Sequence, residues 1–164
     1  MNVKQLALVA VLGALGALLR YFTAITVVPG VVEFSPSFLI PQLAGMLMGS
    51  IGGGLCGVIV GVAGSIRGGE FPLIPLLGNV ALGLSTGIVK DFVGDDKRRL
   101  KKFLYVISGA FIGGFIPTFA ISIIFAPAFA VVFYALIDAF QAGFWAFIGV
   151  IILEIFEKSG LTTS

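Results

Sequence analysis

The chain has 164 residues, of which 59% are hydrophobic and 11% charged, and its mean hydropathy is +1.15. A soluble domain of this size cannot bury that much apolar surface, so the expected class is an all-α integral membrane protein, one compact transmembrane domain over 1–164. A net charge of +2 does not point to nucleic acid, the lack of histidine removes the commonest metal ligand and general base, and the single Cys56 excludes an internal disulfide or a Cys-rich metal site, so neither metal nor cofactor is expected.

The first span is expected from Gln5 to Ala24, by the rule of about 20 apolar residues per crossing. A loop from Ile25 to Ser35 follows, with Pro29-Gly30 as a turn signal and Glu33 within it. The central stretch, Phe34 to Gly69, has no ionisable side chain until Arg67 and repeats glycine at Gly45, Gly49, Gly53, Gly57 and Gly61. Small residues at that spacing let helix backbones approach closely in lipid. From Pro36 to Ile66 the stretch is too long for one crossing and short for two. The Gly49 to Gly54 cluster, above all Gly52-Gly53-Gly54, offers a turn, and a hairpin of two short spans is expected. After the loop Arg67-Gly68-Gly69-Glu70, Pro72 and Pro75 open a fourth span ending near Lys90. Gly94 is expected to end that helix and Asp95 or Asp96 to cap the next. A fifth span from Phe103 to about Ala126 is expected to kink at Pro117, and a sixth runs from about Phe129 to Phe156. Six spans place Lys4, Lys90, Lys97, Arg98, Arg99, Lys101, Lys102 and Lys158 on one side, with Arg20 and Arg67 opposite. That asymmetry makes both termini cytoplasmic. The run Lys97 to Lys102 reads as an anchor on anionic membrane lipid.

With this topology the polar intramembrane residues gather in the outer half. Asn79, Thr118, Ser122, Tyr134, Asp138 and Gln141 lie there and Gln42 midway, with Arg20 and Arg67 at the outer rim. A cup open to the outside is the simplest arrangement. Tyr134, Asp138, Gln141 and Trp145 are spaced by four, three and four, so they share one helix face. A carboxylate within a membrane is costly and normally faces a bundle interior or a water-filled cavity. Asp138 is therefore expected to hold a ligand; the structural alternative is an ion pair with Arg20 or Arg67. Asn79 serves equally as ligand contact or as helix–helix glue. In the first span Ala10/Ala14 and Gly13/Ala17 form small-xxx-small pairs, which read as internal packing or as a docking face for another membrane protein. There is no phosphate loop, no Ser/His/Asp or Cys/His set and no paired intramembrane carboxylates, so an enzyme is not expected.

In its spans, the Ala10-x-x-x-Ala14 pair, the hairpin LAGMLMGSIGGGLCGVIVG, the proline-led PLIPLLGNVALGLSTG and its outward-gathered polar groups, the chain resembles the substrate-binding S component of an energy-coupling factor (ECF) transporter over roughly residues 5 to 156. The resemblance implies capture of a vitamin or related micronutrient at the outer face. It also implies association with a transmembrane coupling subunit and two cytoplasmic ATPases, and transfer by toppling in the membrane. The regions that hold substrate in that family contain here Glu33, Arg67, Glu70, Asn79, Thr118, Tyr134, Asp138 and Gln141. Its cobalt and nickel members depend on an N-terminal histidine, absent here, which disfavours a metal substrate. The alternative class is a self-sufficient oligomeric channel or structural protein built on Gly-x-x-x-Gly packing. A channel needs a polar lining across the whole membrane, and here the inner half is nearly apolar.

Overall fold

The computed structural model describes residues 1–160; the last four positions of the expected 1–164 domain lie outside the described residues. Helix α1 covers Val3–Thr23. Strands β1 (Ile25–Val28) and β2 (Val32–Phe34) follow, then a short 3₁₀ turn at Pro36–Phe38. Helix α2 covers Leu39–Arg67 and α3 Leu73–Phe92. After a 3₁₀ turn at Asp95–Lys97, α4 (Arg98–Ser108) passes through a π-helical turn at Gly109–Phe115 into α5 (Ile116–Ser122). Helix α6 covers Ala128–Lys158. Among the described residues five helical stretches are long and apolar enough to cross a membrane: Val3–Thr23, Pro36–Arg67, Leu73–Phe92, Asp95–Ser122 and Ala128–Lys158.

The second of these is not a straight rod. At Gly49 the backbone takes φ 80° and ψ −173°, a left-handed conformation that glycine adopts without a steric penalty. Beyond it the chain folds back on itself. A Cβ added at Gly53 would lie 2.7 Å from the Cα of Gly45, whereas eight residues of continuous helix span about 12 Å. Ile40 and Val60 likewise both meet Gly16 of α1. The turn therefore sits at Gly49 rather than at Gly52-Gly53-Gly54. Those three glycines lie inside the second arm, and Gly53 packs on the backbone of α3 at the Gly83 carbonyl. One residue suffices to reverse the chain because the end of α3 supplies the cap. Ser50 donates from its N–H (2.9 Å) and its hydroxyl (2.6 Å) to one carboxylate oxygen of Asp91. Gly45, Gly57 and Gly61 also face α3, so the periodic glycines form one ridge on which α3 lies with almost no side chain between the backbones.

Three further expectations are corrected. The loop from Ile25 to Ser35 is an antiparallel β-hairpin, with Ile25 opposite Phe34 and Thr26 opposite Glu33, so the all-α description holds except for this two-stranded sheet. Pro29-Gly30 does make its turn, with Gly30 at φ 81°. In the stretch Asp95–Ser122, expected as the fifth span, the irregularity is the π turn just before Pro117, not a kink at it. Proline has no N–H to give to Gly113, and the wider helical turn absorbs that missing bond. Gly94 has extended backbone rather than a helix-ending left-handed one, and neither Asp95 nor Asp96 makes a capping hydrogen bond.

Candidate functional site

The two ends of the bundle differ sharply. At the end where α3 starts and α1 stops, ionisable groups are buried. Arg20, the last basic residue of α1, is completely buried, as is Glu33 of β2. The Nη2 atom of Arg20 donates to Glu70 Oε2 at 2.7 Å and lies 3.1 Å from Glu33 Oε2. Arg67, at the end of α2, pairs with the other oxygen of Glu33 and donates to the backbone carbonyls of Tyr21 and Ala24. Glu70 accepts the N–H of Glu33 at 2.7 Å. The hairpin tip is latched as well: Gly30 donates to the carbonyl of Gly69, and Phe71 to that of Gly30, both at 2.8 Å. Arg20 stands at the end of α1, as expected, but enclosed rather than exposed, for a physical reason. Two carboxylates brought over it by loops distant in sequence compensate its charge in the interior, which its local sequence does not reveal.

Below this quartet lies a second group. Asp138, 3% exposed, accepts hydrogen bonds from the Thr118 hydroxyl of α5 and from Gln141 Nε2 at 2.5 Å. The same Gln141 amide donates to the backbone carbonyl of Glu33 at 2.9 Å and accepts the N–H of Ser35. One side chain therefore joins the carboxylate of α6 to the hairpin. Among the described residues Asp138 has no ion pair, and neither Arg20 nor Arg67 is its partner. Arg20 instead lies over the ring of Phe38, 5.9 Å from its centroid. Around the network stand Trp145, Leu82 and Ala142, packed with Phe38. The ring centroids of Phe34 and Trp145 are 6.0 Å apart.

Arg20, Glu33, Arg67, Glu70, Thr118, Asp138 and Gln141 thus form one connected network. Asn79 and Tyr134 are not joined to it by hydrogen bonds. Asn79 is fully buried, donates to the carbonyl of Pro75 at 2.7 Å, and has its Oδ1 unpartnered. Tyr134 is half-buried and packs with Val31, Val32, Ile74 and Ile121. Ser35, Ser37 and Thr26 were not singled out from the sequence. Thr26 donates to Glu33 Oε1, and Ser35 pairs with Ser37, both hydroxyls being buried. Ser35-Pro36-Ser37 is a helix-start signature that could have marked the first two. The Nε1 of Trp145, the hydroxyl of Ser122 and the Oε1 of Gln42 are buried without partners. Buried polar atoms are normally hydrogen-bonded to protein or ordered water, so each of these calls for a partner from water or a ligand. The expected cup is roofed by the hairpin. What opens at this end is a cleft of about 560 Å³ beside the hairpin tip, between Phe71 and Phe125, with Glu70 in its wall.

Burial pushes the Glu70 carboxyl up to about 8, against the pull of Arg20. The charge count agrees in direction. Glu33, Glu70 and Asp138 face only Arg20 and Arg67 at this end of the molecule, one carboxylate in excess.

The chain matches the family "ECF transporter, substrate-specific component" over residues 4–159. It is a member of that family. This S component is accordingly a substrate-specific transporter subunit of the cell membrane, multi-pass, and not an enzyme. No curated protein matches the chain. In S components the partners are a membrane-embedded coupling component and ATPases. The first-span residues expected to dock them divide in this structure. Ala10 and Ala14 are exposed and Ala17 half-buried, whereas Gly13 is buried against Ile59 of α2 and belongs to internal packing.

Proposed function

We propose that this S component captures a vitamin-like small molecule at the outer face of the membrane, beneath the β-hairpin, with Asp138 as its polar anchor. Asn79, Thr118, Tyr134 and Gln141 complete the contacts. The Arg20–Glu33–Arg67–Glu70 quartet holds the roof, so that substrate enters when the hairpin lifts. The observation that carries this reading is Asp138 itself, a buried carboxylate held by two neutral donors and by no cation. A ligand with a cationic or hydrogen-bond-donating group would compensate it. We further propose six crossings with both termini cytoplasmic. In support, Ser50 meets Asp91 at one end of the bundle and Arg67 meets Glu33 at the other, so the two arms of α2 run its length in opposite directions. The basic excess at the end carrying both termini fits the cytoplasmic side. Loaded substrate would pass inward through a transmembrane coupling subunit driven by two cytoplasmic ATPases, with Ala10 and Ala14 on the exposed face of α1 as the contact. A channel is disfavoured by the plug of Met46, Val89, Tyr105, Ala146, Val150 and Leu153 that closes the far end.

The test is calorimetry on Asp138→Asn with the small molecule found by native mass spectrometry of gently purified protein. Loss of one charge-assisted hydrogen bond, about 1.5–3 kcal/mol, weakens binding roughly ten- to a hundredfold. Unchanged affinity in the folded variant would make Asp138 structural.

A further inference from the structure

The opposite end of the bundle holds a second cavity, of about 450 Å³, which the substrate reading does not use. It lies between the end of α3, the start of α4 and the last turns of α6. Its rim carries Lys90, Arg98, Lys101 and Lys102. Three of these are engaged: Lys101 with Asp95, Arg98 with Glu157 and Lys102 with Glu154. Among the described residues Lys90 has no ion pair. Arg98 reaches Glu157 through one nitrogen of its guanidinium, leaving further donors. The phenol of Tyr105, a residue 1% exposed, lines the cavity and has no protein hydrogen-bond partner among the described residues. The site thus offers as free donors an ammonium, a guanidinium edge and a phenol hydroxyl, its two carboxylates being held in ion pairs, and this end of the molecule has eight basic residues against Asp91, Asp95, Asp96, Glu154 and Glu157. The rest of the lining is Met46, Leu47 and Leu153 together with Asp95 and Glu157, the carboxylates already paired with Lys101 and Arg98.

We propose that this cavity binds the phosphate headgroup of one anionic phospholipid, with Lys90, Arg98 and Tyr105 as its donors. The apolar wall is what selects a lipid over free phosphate, because it receives the glycerol and the upper acyl carbons. The level is also right: Phe92, Leu100 and Phe103 beside the lysines are exposed at 84%, 49% and 61%, an apolar collar at the height where chains meet headgroups. A general basic patch attracts anionic lipid through its summed charge. A built site differs in depending on which charge is removed.

Native mass spectrometry of the protein titrated with phosphatidylglycerol or phosphatidylcholine tests this. The expected result is one phosphatidylglycerol retained per chain under conditions that strip phosphatidylcholine. Lys90→Gln should weaken retention by roughly fivefold, the effect of about one lost basic contact near a membrane surface, and Tyr105→Phe by roughly the same factor through one lost hydrogen bond. Lys97→Gln removes the same charge from a neighbouring residue that does not line the cavity, and should change retention less than about twofold. Equal weakening by Lys97→Gln, or equal retention of phosphatidylcholine, overturns the site in favour of diffuse attraction. Displacement of the lipid by equimolar glycerol 3-phosphate overturns the lipid assignment in favour of a soluble phosphate ester.

Discussion

Replacing Arg20 by methionine keeps an unbranched apolar stem, shorter than arginine, and removes the guanidinium with its charge. The Nη2 atom that serves Glu70 at 2.7 Å and Glu33 at 3.1 Å is lost, from a position with no solvent access to replace it. Removing one partner of a buried ion pair typically costs about 3–5 kcal/mol, because the remaining charge is left in a low-dielectric site. Two features place the expected loss near the lower figure. Glu33 keeps Arg67 as a partner, and Glu70, already pushed up to about 8, takes a proton rather than remain charged. For a domain of this size about 3 kcal/mol corresponds to a fall in thermal midpoint of roughly 6–12 °C. The first structure to go should be the hairpin, since the quartet ties β2 to α1 and to the α2–α3 loop. Trp145, the only tryptophan, packs against Phe34 of β2 and so reports it by fluorescence. The amide of Glu33, which donates to Glu70, reports it by hydrogen exchange. In Arg20→Met the Trp145 emission should change below the main transition and the Glu33 amide should exchange faster. Adding Glu70→Gln, which removes one orphaned carboxyl, should restore part of the midpoint. If Arg20→Met leaves midpoint, emission and exchange as in the native chain, the quartet does not hold the roof.

The remaining predictions concern the same framework. Glu70 has a folded-state value raised from 4.5 to about 8, so the native state binds the extra proton and hairpin stability falls as pH rises from about 5 to 8, levelling above that. Glu70→Gln should flatten that slope in a thermal-shift series, and an unchanged slope would assign it to another group. A methyl at Gly83 would run into the carbonyl oxygen of Gly53. Gly83→Ala should therefore lose about 1–3 kcal/mol by forcing α2 and α3 apart, and a neutral effect in chemical denaturation would argue against backbone contact there. Asp91→Ala removes both bonds to Ser50 at the Gly49 turn and should lose about 1–2 kcal/mol, comparable to deleting a helix cap, read as faster exchange of the Ser50 amide.

Much of this protein is decided by the sequence alone, where its physics is local. Composition sets the membrane class, because nothing but lipid accommodates so much apolar side chain. The glycine period of α2 announces a close helix partner, and Pro29-Gly30 announces a turn. Asp138 and Gln141 fall on one face of α6 because helical spacing puts them there. What only the tertiary structure decided depends on contacts between segments far apart in the chain. The hairpin reverses at Gly49 rather than among Gly52 to Gly54 because Asp91, forty-one residues beyond Ser50, caps it there. Residues 25–34 pair as strands because the α2–α3 loop fastens their tip, and an isolated two-stranded hairpin is at best marginally stable in water. Arg20 is interior because Glu33 and Glu70 meet it from two loops. A charge is placed by its partners, and a sequence read along the chain shows the charge without showing what will stand opposite it.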